Sequence, residues 1–531
     1  MADATPLSPP SVSAPGKRWW VLLGAVLLPL IYLGTLTTRF DFIDDGNLVY
    51  PTRGLPLGQR IAVVWEKIVA NYEHLGPFRP VLWCHWELAA DLLGGSELGW
   101  RITRLVWCGL ATLMLLGLFA ELRLAPWAAL FAAAVAMWNP YRNEIWTSLT
   151  LSEGVAMPYA LLALVCACRA PRSRFPWAWD VLGACCVLAA LGCKNTFAAL
   201  VPAQMFLRLA PDQWPLREGW RRHGPRALLL SATLLAPLAH FVYFKRHWHP
   251  GQYTTDGATL GQLRRIVSSL FGAVSADFVG LGLLLAVVAQ LVARRRGAAW
   301  LTDILDRHRA ALGAGALLLV GGVVLYLPVG TMSGRYSMPA VWGLDLIVAL
   351  LLSGLTGLRS NWSRIAWGAL ALGLAGVMVA SVGKQQKFAA RARLLWEALE
   401  YVERQAPPSA LVAWVSGDSL KDGLNVEEGI HFQWHLAARG RGDVRVSLFD
   451  ELGRPQQRSE MAAAEEPPAF AISGLPQSPG AGDWQVERRF AVACWGGLRR
   501  SECYLLRSAD GAPRAATEKV AVGTSRQPLP R

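Results

Sequence analysis

Three carboxylates stand close together near the start of the chain, Asp41, Asp44 and Asp45, in the stretch TTRFDFIDDGNLVYPTRGL (37–55). They follow directly on the first long apolar run, at the point where the chain should leave a membrane. An adjacent acid pair at such a boundary is costly through mutual repulsion unless cations, a metal or a proton-bearing substrate offsets it. Asp44 or Asp45 could serve as a base that takes the proton of a hydroxyl. The bland alternative is a solvated loop in which an Asp caps a helix, and for Asp41 that alternative is the stronger one.

Further polar side chains fall in the same kind of position. Glu144, in NPYRNEIWTSLTLSE (139–153), could bind an acceptor, share a divalent ion such as Mg or Mn with Asp44 and Asp45, or pair with Arg142. Glu153 sits at the entry of the next helix, where an acid is favourable in any case. Arg79, Lys194 and Arg335 lie at expected membrane boundaries, where each could meet an anionic headgroup or simply snorkel. His74, His85, His247 and His249 match no zinc spacing and read as interfacial packing.

The elements that must position these residues are membrane helices. Of the 531 residues 53% are hydrophobic and 17% charged, with 24 Trp, which marks an integral membrane protein. The net charge of +14 would suggest a nucleic-acid partner in a soluble chain. Here the basic residues gather in short loops, so the charge reads as topology and no nucleic acid is expected. Apolar runs near 19–36, 102–120, 125–139, 150–168, 177–193, 195–209, 227–244, 266–293, 310–328, 338–357 and 365–382 predict about eleven crossings. Two of them, 125–139 and 195–209, are short enough to be tilted, interrupted or re-entrant. A cytoplasmic N-terminus gathers Arg123, Arg169, Arg172, Arg174, Arg217, Arg221, Arg222, Arg226, Arg294 to Arg296, Arg359 and Arg364 on one side. The acids and the unusual loops then face the other.

The first outer loop (37–100) is too long for a turn, and its stretches 58–72 and 78–93 carry apolar residues at helical spacing, as surface helices do. Beyond 384 an amphipathic helix is expected, stopped by Pro407 and Pro408. Strand, helix and strand at 410–416, 425–440 and 443–449 follow, with more strands at 468–473, 486–493 and 503–507. No GxGxxG-type run points to a nucleotide there. Cys494 and Cys503 could close a hairpin in an oxidising compartment, and the other cysteines lie mostly in apolar runs as small hydrophobes. Residues 1–16 read as a disordered tail before a retained anchor at Lys17 and Arg18, and 511–531 as a flexible tail. The expected fold is thus an all-α polytopic membrane domain (17–383) followed by a small extracytoplasmic α/β domain (384–510).

Several stretches together carry a family likeness: FIDDGNLV (42–49), FRPV (78–81), NPYRNEIWTSLTLSEGVAMPYALLAL (139–164), LAALGCKNTFAALVP (188–202) and GRYSMPA (334–340). With the order of helices and loops, they resemble the C-type (GT-C) membrane glycosyltransferases, in particular the protein O-mannosyltransferase and aminoarabinose-transferase branch. The resemblance covers roughly residues 19–345. It implies a plasma (inner) membrane enzyme, acting on its extracytoplasmic face and inverting the sugar. Its donor would be a polyprenyl-phosphate-linked sugar and its acceptor a hydroxyl of a protein, lipid or glycan. The acid of the first outer loop would act as base, Asp44 ahead of Asp45, with Arg79, Glu144, Lys194, Arg335 and Tyr336 binding substrate. Relatives often carry histidine at Asn139 and an acid at Asn195. These departures leave room for a non-catalytic scaffold that binds a lipid carrier, while Asp277 and Asp345 in late helices leave room for a lipid or solute carrier.

Overall fold

The computed structural model describes residues 19–42, 45, 55–75, 78–210, 216–236, 238–239, 242, 260–275, 306, 308–327, 337–354, 361–416, 424–449, 468, 470–473, 484–494 and 499–508. The first apolar run forms α1 (Trp19–Leu27) and tightens into a 3-10 helix over Leu28–Thr37. Pro29 accounts for the change, because it lacks an N–H and its ring crowds the carbonyl four residues back. The stretch 37–100 holds α2 (Leu57–Leu75) and α3 (Pro80–Leu93), helices at the two places where helical spacing was expected. α4 (Glu97–Glu121) opens on Ser96, whose hydroxyl accepts the Gly99 N–H at 3.1 Å, with Glu97 in the first turn where the helix dipole favours an acid.

The helical part continues with α5 (Pro126–Trp138), the single turn α6 (Glu144–Thr147), α7 (Ser152–Arg169), α8 (Pro176–Leu191), α9 (Leu200–Leu209), α10 (Leu216–Ser231), α11 (Leu260–Ser275), α12 (Arg309–Tyr326), α13 (Ala340–Gly354) and α14 (Asn361–Gln405). α7 is apolar nearly all round and is the buried centre of the bundle, packed by α4, α8 and α9. Among the described residues five helices are long and apolar enough to cross a membrane: Trp19–Thr37, Glu97–Glu121, Ser152–Arg172, Arg309–Tyr326 and Trp367–Gln405. Three shorter apolar helices, Pro126–Trp138, Pro176–Leu191 and Ala340–Ser353, accompany them. The sequence count of eleven is not confirmed by this set of described helices. The run 195–209 is a 3-10 turn (Asn195–Ala199) plus the 10-residue α9, which at about 1.5 Å per residue reaches halfway through a bilayer. The runs 227–244 and 266–293 lie partly outside the described residues.

α14 corrects one expected boundary. The last apolar run and the amphipathic helix after 384 form one helix of 45 residues, about 67 Å long at the usual rise. A lone Gly383 at the junction costs a helix only about 1 kcal/mol, so nothing breaks it before Pro407. Its outer half packs on a five-stranded sheet, β1 (Leu411–Val415), β2 (Arg445–Phe449), β3 (Phe470–Ser473), β4 (Trp484–Cys494) and β5 (Arg499–Ser508), in the order β2-β1-β3-β5-β4. The first three are parallel and the β4–β5 hairpin antiparallel. α15 (Val426–Ala438) crosses from β1 to β2 and starts with a capping box between Asn425 and Glu428. The hairpin register rules out the Cys494–Cys503 bridge. Cys503 faces Phe490 and Cys494 faces Arg499, which leaves four residues of strand between the cysteines, about 13 Å and beyond disulfide reach.

Small residues let α12 and α13 touch. A Cβ on Gly343 would stand 2.2 Å from the Gly315 carbonyl oxygen and 2.9 Å from the Leu319 amide nitrogen, both backbone atoms that cannot swing aside. Gly343→Ala is expected to force the two helices apart and to cost about 1–3 kcal/mol, read as a lower unfolding midpoint in detergent. Gly368→Ala in α14, where a Cβ meets nothing within 4 Å, is the control and is expected to leave the midpoint unchanged or raised.

Candidate functional site

The acid loop is held by a buried guanidinium. Arg101, in the first turns of α4, donates from Nε to the Thr38 carbonyl at 3.3 Å, from Nη2 to the Arg39 carbonyl at 2.8 Å and from Nη1 to the Thr147 carbonyl. Its Nη2 also stands 3.6 Å from Asp45 Oδ2, with 1% and 0% of the two side chains exposed. Asp45 accepts two amide N–H groups besides, Asp41 at 2.9 Å and Leu149 at 3.2 Å. One carboxylate and one guanidinium thus bind the end of the first span to the 139–151 loop. One turn on, Arg104 donates to the carbonyls of Leu149 and Leu151 and lies against Gly154, where a Cβ would stand 2.1 Å from its Nη1.

A second buried pair closes the third side. Lys194, between α8 and α9, donates to Glu153 at the start of α7, which also accepts the Ser152 hydroxyl at 3.1 Å. Glu153 is therefore more than a helix-terminal acid. The same turn accepts the first amides of α3, Val81 to the Gly192 carbonyl at 3.1 Å, and this brings Arg79 to the Cys193–Lys194 corner. Arg79 is half-buried, and its Nε lacks a hydrogen-bond partner. Glu144 lies exposed on α6. It is not the partner of Arg142, which forms a buried bidentate pair with Asp345 of α13 at 2.6 and 3.0 Å. Asn139 turns its own loop by accepting the Tyr141 N–H at 2.8 Å, and Asn143 donates to the Ser381 carbonyl of α14 at 2.7 Å. His85 packs edge-on against Trp107, and burial pushes its pKa down to about 4, as an interfacial packing residue would show. Asp44, Arg335, Tyr336, His247 and His249 lie outside the described residues, as does the side chain of His74.

The C-terminal domain is part of this construction. Phe42 is fully buried in a box of Trp396, Phe432 and His435, at ring distances of 5.4, 5.9 and 4.7 Å. Trp396 Nε1 donates to the Phe40 carbonyl at 2.9 Å, and Arg39 pairs with Glu400 at 2.7 Å while lying over the Trp396 ring. Phe40, Phe42, Trp100 and Leu149 share one apolar core with α14, α15 and the sheet. Asp41 sits under the same roof, where its Oδ1 accepts the Phe42 N–H at 2.7 Å. Burial, then Asp45 and Glu428 of α15, hold its carboxyl well above the usual carboxylate range. Burial also raises Asp45, but Arg101 and the two amides oppose the shift. Asp41 therefore holds a proton more readily than Asp45.

The donors around Asp45 are all positive or N–H groups, and among the described residues no three His, Cys, Asp or Glu side chains are grouped to hold a metal. Arg101, Arg104 and Phe42 did not stand out in the sequence as site residues. The available signal was two arginines three apart, hence on one helix face, at the mouth of an apolar span.

Two substitutions test this arrangement. An acid whose pKa is raised by folding stabilises the fold below the ordinary carboxylate pKa, and that contribution fades as pH rises through the raised value. The unfolding midpoint of the wild type is expected to fall with rising pH over that interval, and Asp41→Asn, an isostere of the protonated acid, to flatten the profile. Phe42→Ala empties the aromatic box and is expected to cost about 3–5 kcal/mol, with faster hydrogen exchange at the amides of 38–45.

No protein-family model matches the chain, and no curated protein matches it. Among solved structures the chain is similar to the archaeal oligosaccharyltransferase AglB from Archaeoglobus fulgidus, solved in complex with an inhibitory peptide and a dolichol-phosphate, at 12% identity and a TM-score of 0.34. The match covers 76% of this chain and 63% of that one, so the chain spans less than two thirds of its length.

Proposed function

We propose that the chain is a membrane glycosyltransferase that moves a sugar from a polyprenyl-phosphate donor to an acceptor hydroxyl at the end of the bundle where its outer loops meet. The observation that supports this reading is the convergence of the acid loop, the 139–151 loop and the Lys194 corner around Arg101, Asp45 and Glu153. Glycosyl transfer needs a base for the acceptor and cations for the departing phosphate, and carboxylates and cations gather at this corner. In the reaction the acceptor oxygen bonds the anomeric carbon, the carbon–oxygen bond to the carrier phosphate breaks, and the acceptor proton passes to the base. The anomeric centre inverts and the polyprenyl phosphate leaves as an anion.

Asp45 is engaged on both oxygens, so it serves this reaction as the residue that fixes the loop. The base is Asp44. Arg79 and Lys194 meet the phosphate, with Arg335 and Tyr336 of the GRYSMPA stretch as further contacts. Glu144, exposed on the second loop, is placed for the acceptor. The face that carries these residues and the C-terminal domain is extracytoplasmic in this reading. The carrier reading finds less support: its one described late-helix acid, Asp345, is neutralised by Arg142.

Transfer of radiolabelled sugar from a polyprenyl-phosphate donor, with purified protein in lipid, tests the proposal. Asp44→Asn is expected to lower the rate by about 10²-fold or more with an unchanged unfolding midpoint. Asp45→Asn is expected to lower the rate and the midpoint together, since it removes a buried charge partner worth about 3–5 kcal/mol. Full activity in Asp44→Asn would overturn the assignment of the base.

A further inference from the structure

The end of the bundle away from the acid loop is built on arginine. At the last turn of α4, Glu121 pairs with Arg169 at 2.9 Å and Arg172 at 3.2 Å, and Arg169 lies over Trp179 of α8. Beside Trp179, Asp180 takes a bidentate contact from Arg208 near the end of α9, Nε to Oδ1 at 2.8 Å and Nη2 to Oδ2 at 3.2 Å. Arg208 is fully buried, and its remaining nitrogen, Nη1, finds no acceptor. A buried N–H left in that state is a substantial cost to the fold, and a chain that keeps it has a use for the donor.

α10 folds back over this pair. Gly219 comes so close to the end of α9 that a Cβ would stand 1.8 Å from the Leu209 carbonyl oxygen, an approach open only to glycine. The charged neighbours of His223 on α10 are Arg208, Arg226, Asp180 and Arg222, which sets the α10 arginines beside the buried pair. Arg222 is tied to Glu218 at 2.6 Å, while Arg226 is exposed and Trp220 is 48% exposed. Around an unused donor, then, three arginines meet two carboxylates, with an aromatic ring at the surface.

We propose that Arg208, Arg222 and Arg226 form a binding site for the phosphate of an anionic phospholipid, with Trp220 at headgroup level. A phosphodiester oxygen supplies the acceptor that the protein withholds from Arg208, and the local excess of positive charge selects a lipid with net negative charge over a zwitterionic one. Ordinary snorkelling accounts for exposed arginines such as Arg217 and Arg221, but not for a guanidinium buried in full with a free N–H. The site is at the far end of the bundle from Asp45, and the proposal does not depend on the reaction proposed above.

Native mass spectrometry of the full chain, released from bilayers of equal phosphatidylglycerol and phosphatidylcholine, tests it without any turnover. The wild type is expected to retain phosphatidylglycerol preferentially, and R222Q/R226Q to lose that preference by about tenfold or more. Arg174→Gln removes an exposed arginine of the loop between α7 and α8, and it is expected to retain the preference. Equal retention of the two lipids by the wild type would overturn the proposal, and so would a loss in Arg174→Gln as large as in the double variant, which would show a diffuse basic belt. In phosphatidylcholine bilayers, inorganic phosphate is expected to leave the unfolding midpoint unchanged where added phosphatidylglycerol raises it. An equal rise with phosphate would show a site for the free anion and overturn the assignment to lipid.

Discussion

The acid-loop end of this molecule depends on the burial of one guanidinium. Arg101 reaches the carbonyls of Thr38, Arg39 and Thr147 and faces Asp45, so the end of the first span, the acid loop and the end of α6 are referred to a single rigid group on α4. A buried guanidinium cannot shed its proton, and its desolvation is tolerable only because its donors find oxygens. Taking away any partner leaves charge or N–H groups stranded in a low-dielectric site. The constraint runs in both directions: Arg101 opposes the upward push of burial on Asp45, and the acid loop keeps its shape because Asp45 accepts its amides.

The same logic extends through the aromatic box. Phe42 is apolar ballast on an otherwise polar loop, and by entering the core under α14 and α15 it ties the loop to the C-terminal domain. α14 is the beam that makes this possible, since one helix of about 67 Å passes from Trp367, edge-on to Trp127 in the bundle, to Trp396 over Phe42. The C-terminal domain is thus more than a cover. Its side chains set the electrostatic surroundings of Asp41 through Glu428 and the position of the loop through Trp396, so a change in its packing is felt at the acids.

How far the sequence spoke depended on which kind of order each region has. The sheet was legible because alternation and β-branched residues speak locally: the strands begin and end within a few residues of the runs at 410–416, 443–449 and 468–473, and the helix expected at 425–440 is α15. The helices at 57–75 and 80–93 were legible for the same reason. Spans were not countable, because apolar runs such as 195–209 are interrupted by backbone geometry that hydropathy does not report. The junction into α14 was missed because a change from apolar to amphipathic sequence is not a break in a helix. At the site, the acids and Lys194 were visible as boundary charges, whereas their partners were not: Arg142 to Asp345 spans 203 positions, and Phe42 meets Trp396 and Phe432 across most of the chain. Such pairings belong to tertiary structure alone.

The Lys194–Glu153 pair gives the proposed chemistry a further physical sense. A cation standing free in a buried corner would hold a donor phosphate tightly before anything has reacted, and binding of that kind lowers the ground state along with the barrier. Glu153 offsets most of that attraction at rest. During transfer the bond from sugar to phosphate breaks and the carrier phosphate gains a negative charge, so it competes with Glu153 for Lys194 best at the point where charge has developed. Half-buried Arg79, beside the same corner, adds a donor whose Nε no acceptor engages. A cation that is balanced at rest and drawn to the phosphate only as the leaving group forms stabilises the transition state more than the bound donor, and that difference is what speeds the reaction.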